Sequence, residues 1–134
     1  MNNLKLMSKV KPVNKQIVVL DDEKSILDLM EIALEEEGYN VIAINHYEPM
    51  EFFMDFDPKL ILLDIRLSDG YGHHLCEDLK ANPVTSAIPV ILVSGADNLG
   101  KIAKESKADG YLSKPFNVDE LISCVKQYDI AATS

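Results

Sequence analysis

Three short apolar runs constrain this chain more than any other feature, because each stops on a polar residue. Gln16 to Leu20 ends at the pair Asp21 and Asp22, Leu60 to Leu63 ends at Asp64, and Val90 to Val93 ends at Ser94. Continuous aliphatic runs of this length suit strands covered on both faces, which is the situation in a parallel sheet. Between the first two runs the period changes. Glu23 to Glu37 carries Ile26, Met30, Ala33 and Leu34 at helical spacing and stops at Gly38, a residue favoured just past a helix end. If the strands are parallel, their C-terminal ends meet at one edge of the sheet, where open α/β folds bind ligands. Three carboxylates, the Ser94 hydroxyl and the ammonium of Lys114 then share a pocket. That set suits a divalent cation and a phosphoryl group.

The remaining elements continue the alternation. Asn40 to Ile44 reads as a second strand and Tyr47 to Phe56 as a second helix. Lys59 to Leu63 is a third strand, and Gly72 to Ala81 a third helix ending before Pro83. Ile88 to Val93, Asp97 to Ser106 and Gly110 to Leu112 follow as strand, weaker helix and short strand. The last helix has the clearest start: Asn117 is a candidate N-cap with Glu120 three residues on, and Phe116 and Leu121 stand where a hydrophobic staple would put them. Five βα units with short connections imply right-handed crossovers and an α/β fold of three layers.

At 134 residues the chain has the size of one domain and can bury a core without staples. Cys76 and Cys124 lie in amphipathic stretches without metal-ligand spacing and read as core or half-buried thiols. No run approaches the roughly 18 apolar residues of a membrane span, so membrane insertion is not expected and a cytoplasmic location is. Charge is uneven. Residues 1–15 hold four of the 13 basic residues and none of the 22 acids, leaving −13 for the rest. Direct binding of nucleic acid by the folded part is therefore disfavoured. The expected organisation is a basic N-terminal tail over 1–15, one domain over 16–128 and a short tail over 129–134.

Each site residue also has an ordinary explanation. Asp22 suits a helix N-cap, Asp64 and Ser94 suit turns at strand ends, and Lys114 suits a surface. Those explanations hold singly; the coincidence of four at strand ends is harder to obtain by chance.

The motifs "VLDDE", "LLDIR", "LVSGA" and "YLSKPF", in this order and spacing, resemble the receiver domain of two-component response regulators. The likeness runs from about Gln16 to Gln127. It implies a flavodoxin-like (βα)5 sandwich with parallel strand order 2-1-3-4-5 and a single-domain receiver akin to chemotaxis regulators. Asp64 would be the phosphoacceptor. Three carboxylates in one pocket repel one another and favour a cation, and magnesium suits oxygen ligands while keeping its waters. The resemblance assigns magnesium, or manganese, to Asp22, Asp64 and the backbone carbonyl of Arg66, with Asp21 acting largely through water. It assigns the charge on the transferring oxygens to Lys114, Ser94 and the backbone amide of Gly95.

Switching follows from the same resemblance. Ser94 moves toward the phosphoryl group and Tyr111, three positions before Lys114, turns inward. The Lys114–Pro115 bond is expected to be cis, aiming the lysine into the pocket. The implied partners are a sensor histidine kinase or histidine phosphotransfer protein, and an effector bound through the face of the fourth helix, fifth strand and fifth helix. The chain is expected as a monomer or weak dimer. No enzymatic role is expected beyond self-phosphorylation and self-dephosphorylation. Arg66 and Ala96 occupy positions that influence phosphoryl lifetime in this family. A phosphohydrolase of the haloacid dehalogenase type is the competing enzyme reading, but it requires an aspartate where Arg66 stands. A receiver serving purely as an interaction module would not need the complete acid, hydroxyl and lysine set. His46, His73 and His74 have no ligand partner at helical spacing and read as surface residues.

Overall fold

Strict alternation inside the aliphatic runs decides how the sheet is covered. The computed structural model describes residues 16–55 and 57–133, with backbone alone for 129–133. The basic segment 1–15 and Ser134 lie outside the described residues. Five strands, β1 (Gln16–Leu20), β2 (Asn40–Ile44), β3 (Leu60–Asp64), β4 (Val90–Ser94) and β5 (Gly110–Ser113), form one sheet. Its order is β2-β1-β3-β4-β5 and every neighbouring pair is parallel. Among the described residues three helices lie between strands, α1 (Lys24–Glu36), α2 (Gly72–Ala81) and α3 (Leu99–Glu105), and a fourth, α4 (Val118–Thr133), follows β5. The expected three-layer α/β architecture and strand order are those observed.

On one face Leu20, Ile61, Leu63 and Leu92 pack against Leu75 and Leu79 of α2 and Leu99 and Ala103 of α3. On the other, Ile17, Val19, Leu62 and Ile91 meet Leu27, Met30 and Leu34 of α1 and Leu121 and Val125 of α4. Each such aliphatic side chain removed from water contributes about 1.5–3 kcal/mol, which makes the double-sided core the dominant stabilising term. Cys76 is buried in the first layer and Cys124 is partly exposed in the second.

The helix expected over Tyr47 to Phe56 is the main departure. Only a single 3-10 turn forms, Met50–Phe53, and Phe56 lies outside the described residues. The prolines explain this. Pro49 precedes the turn in an extended conformation (ψ 165°), and a residue before proline, such as Glu48 or Asp57, is pushed away from helical geometry. The residues left between are far fewer than an isolated helix needs. At the other end α4 continues through 129–133, the stretch read from the sequence as a short tail. Asp-Ile-Ala-Ala contains no helix breaker, so nothing there stops it.

Two local devices fix the helix ends. Asn117 and Glu120 cap α4 reciprocally: the Glu120 amide donates to Asn117 Oδ1 at 2.8 Å, and the Asn117 amide donates to Glu120 Oε1 at 2.9 Å. Asp22 does not cap α1. The cap position is Glu23, without a side-chain bond, and its amide donates to Asp21 Oδ1 at 2.9 Å. Below the sheet, Lys80 at the end of α2 donates to the carbonyls of Ser86 (3.1 Å) and Ile88 (2.7 Å) and pairs with Asp109 at 2.6 Å. Asp109 in turn accepts the Val90 amide at 2.8 Å, so one ammonium ties α2 to the entrances of β4 and β5. Replacing Lys80 with Met keeps the apolar stem and removes these bonds. Urea unfolding should show a loss of about 2 kcal/mol, the range for hydrogen bonds to a charged group; an unchanged midpoint would show the network to be dispensable.

Candidate functional site

Sheet register builds the site. Leu20 is level with Leu63, so Asp21 and Asp64, one residue on, leave the sheet together. Asp64 is level with Val93, and Ser94 is level with Ser113. The Lys114 amide then donates to the Ser94 carbonyl at 2.9 Å, carrying the pairing one residue beyond β5. The Lys114–Pro115 bond is cis. The Lys114 side chain lies between two aspartates, with Nζ 2.9 Å from Asp21 Oδ2 and 3.6 Å from Asp64 Oδ2.

Charge at this edge does not balance. Asp21, Asp22 and Asp64 each place one carboxylate oxygen within 4.8 Å of the others, and among the described residues they are the only such group of potential metal ligands. Asp21 and Asp64 are buried while Asp22 is exposed. Asp21 Oδ2 is in ion-pair contact with Lys114 but accepts no aligned hydrogen bond. Burial, reinforced by the charges of Asp21 and Asp22, pushes the Asp64 carboxyl up from 3.8 to about 6, against the opposing pull of Lys114 and of the Arg66 amide bonded to it. Burial acts on Lys114 in the lowering direction. The close ion pair with Asp21 and the charges of Asp64 and Glu23 outweigh it and hold the ammonium above its ordinary value. A hard cation among these oxygens would relieve the surplus of negative charge.

The model of the response regulator receiver domain family matches residues 17–126. The chain belongs to that family. It is similar to a CheY-like receiver domain protein from Methanospirillum hungatei, at 27% identity over 90% of this chain and 98% of that one, with a TM-score of 0.76. A two-component response regulator from Clostridium difficile matches at 29% identity over 89% and 98% of the two chains, with a TM-score of 0.74. The chemotaxis protein CheY4 of Vibrio cholerae, at 19% identity over 84% and 97%, shares the fold with a TM-score of 0.76.

The other residues singled out in this receiver sit around the acids. Ser94 is buried and its Oγ accepts the Ala96 amide at 3.1 Å, so the hydroxyl faces its own turn. Gly95 is exposed beside Lys114 at the mouth of the pocket. Tyr111 is 52% exposed, and its ring lies over Gly100 of α3 so closely that a Cβ there would meet the hydroxyl at 3.3 Å. Arg66 belongs to an element the sequence reading missed. Arg66–Leu67 and Gly70–Tyr71 pair as a small antiparallel ribbon closed by Ser68 and Asp69, and Arg66 stands opposite Tyr71. Strands of two residues carry no readable period, although Asp69-Gly70 is a turn signal.

Gly72 lies against the Asp64 carbonyl, and its amide donates to the Ile65 carbonyl at 2.6 Å; a side chain there would displace the backbone of Asp64. Of the histidines, His46 bonds Glu48 at 2.8 Å on the surface and His74 is exposed. His73 is only partly exposed, its Nδ1 buried, and its ring stacks 4.4 Å from that of His74.

Because its folded-state value is raised, Asp64 binds a proton more tightly in the native receiver than in the unfolded chain. Its contribution to stability is therefore present below about pH 4 and is lost as pH rises through about 6. In chelator, Asp64→Asn should be more stable than the unsubstituted protein at pH 8 by about 1–2 kcal/mol, discounted for remaining solvent contact. The two should converge near pH 4. A pH-independent difference in urea midpoints would show that the charge at Asp64 is not responsible.

Proposed function

We propose that Asp64 accepts a phosphoryl group and that the acid cluster holds magnesium, or manganese, for this transfer. The observation that carries the reading is the convergence of Asp21, Asp22 and Lys114 on a buried Asp64 at the C-terminal sheet edge of a receiver domain. Three hard oxygen donors within 4.8 Å of one another suit the ion by type and lie close to the spacing it needs: oxygens on one magnesium at about 2.1 Å are at most about 4.2 Å apart, so a small side-chain movement would close the site. Asp22 and Asp64 would be direct ligands with the Arg66 carbonyl. Asp21 is held by Lys114, which supports a role through water. When bound, the ion supplies positive charge to the transferring oxygens.

The chain's own residues do the rest. Ionised Asp64 has no proton to lose, so no general base is needed. One of its carboxylate oxygens forms a bond to phosphorus while the donor's bond to phosphorus breaks, and the leaving group keeps that electron pair. In this reading Lys114, the Ser94 hydroxyl and the Gly95 amide receive the remaining phosphoryl charge, the hydroxyl after leaving its bond to the Ala96 amide. In this reading the donor is a histidine kinase or phosphotransfer protein, the location is cytoplasmic, and the protein is a switch without a separate substrate to turn over.

Ser94 and Tyr111 supply the switch. Ser94 Oγ currently bonds Ala96, and Tyr111 projects outward over α3. A phosphoryl group that captures the hydroxyl favours a second arrangement, by as much as its affinity for the two arrangements differs. The face presented to an effector is then α3, β5 and α4, where Tyr111 and Val118 are exposed and an open groove runs past Asn117, Glu120, Cys124 and Tyr128.

Incubation with magnesium and acetyl phosphate should raise the intact mass by one phosphoryl group, and Asp64→Asn should abolish the gain. Undiminished labelling of that variant would sink the assignment. With beryllofluoride as phosphoryl mimic, NMR shifts at Tyr111 and along α3 are expected in the unsubstituted protein. In Ser94→Ala they should shrink while Asp64 still binds the mimic. Absence of any change at Tyr111 with Asp64 saturated would favour a plain phosphate carrier.

A further inference from the structure

The ribbon that carries Arg66 is too small to be stable alone, because a two-stranded hairpin is marginal in water even with longer strands. It is held by the segment that follows β2. Asp69, in the ribbon's turn, accepts the backbone N–H of Tyr47 on Oδ1 at 2.9 Å. The Tyr47 ring covers Gly70 so closely that a Cβ there would lie 2.7 Å from Tyr47 Cγ. Tyr47 is itself partly buried against the core layer that contains Leu75 and Phe53. At its opposite end the ribbon joins the acid pocket, through the Arg66 amide bonded to the Asp64 carboxylate and through Gly72 packed on the Asp64 carbonyl.

We infer that Tyr47 and Asp69 are positioning residues for the acid pocket: their contact sets the ribbon, and the ribbon sets the backbone of Arg66 against Asp64. The inference rests on the proposed role of Asp64 and Arg66 in holding the ion. Neither Tyr47 nor Asp69 touches the reacting groups in this account. Gly70 is required because the ribbon must lie flush against an aromatic ring. Asp69 is required for an acceptor oxygen facing the Tyr47 amide, a geometry that a neutral side-chain amide oxygen also offers. That equivalence makes the inference testable, since Asn retains the acceptor Oδ1 without the charge.

The full chain is compared with Asp69→Ala, Asp69→Asn and Gly70→Ala. Hydrogen–deuterium exchange of the segment 66–71 is measured in chelator, magnesium affinity by calorimetry, and phosphorylation by acetyl phosphate as a function of magnesium. Asp69→Ala should exchange faster over 66–71 and bind magnesium about fivefold more weakly, the effect of one lost hydrogen bond. Its phosphorylation rate should recover at saturating magnesium. Asp69→Asn should match the unsubstituted protein in all three, and Gly70→Ala should follow Asp69→Ala. Gly70→Ala also decides the matter if Asp69→Ala does not fold. Unchanged exchange and affinity in both Asp69→Ala and Gly70→Ala would overturn the inference, as would an equal loss in Asp69→Asn, which would point to charge. If the unsubstituted protein bound no magnesium, the proposed function would fail, and the exchange data would still show whether Tyr47 and Asp69 hold the ribbon.

Discussion

The burial of β3 along its whole length is the constraint on which the rest of the molecule depends. All five residues, Leu60 to Asp64, are buried, and the strand is central, paired with β1 on one side and β4 on the other. Its four aliphatic side chains together contribute roughly 6–12 kcal/mol, several times the cost of holding one carboxyl at about 6. The hydrophobic strand therefore carries an acid to a place where water solvates it poorly. A carboxyl that is both anchored and under-solvated is the result.

One lysine cannot neutralise three aspartates, and the geometry divides the labour among them. Asp21 is the deepest, takes the shorter contact to Lys114 and turns its other oxygen to the Glu23 amide. It works as a strut between β1 and β5. Asp22 faces solvent, where an arriving ion would meet it first. Asp64 lies between the two and keeps the longer, weaker contact to the lysine, which under the proposed function would leave its carboxylate available to a phosphoryl donor.

Legibility followed burial and locality. The sheet was readable because strands covered on both faces leave unbroken aliphatic runs, and the site was readable because its residues end those runs. The α4 cap was readable because both partners lie within one turn. Contacts between distant segments left no trace. Nothing in the sequence around Lys80 points to Asp109, nor around Tyr47 to Asp69. Met50 and Phe53 stand three positions apart, as on one face of a helix, but Pro49 and Pro58 leave too short a stretch between them for one to form. Phe53 is indeed buried; the apolar signal was correct about the core and wrong about the backbone that delivers it.

That missing helix bears on the site. Had the chain entered a regular helix at Tyr47, a helix docked on the sheet would have fixed its first turn. The prolines instead leave 45–49 outside any helix or strand and allow a single 3-10 turn, whose Phe53 anchors the stretch in the core. In this stretch Tyr47 donates its backbone N–H to Asp69 and lays its ring on Gly70. An irregular connection between β2 and β3 is in this way braced against the irregular connection between β3 and α2. On the positioning role inferred for Tyr47 and Asp69, a sequence change at Pro49 would reach Asp64 through these contacts along the rim of the pocket rather than through the strands on its floor.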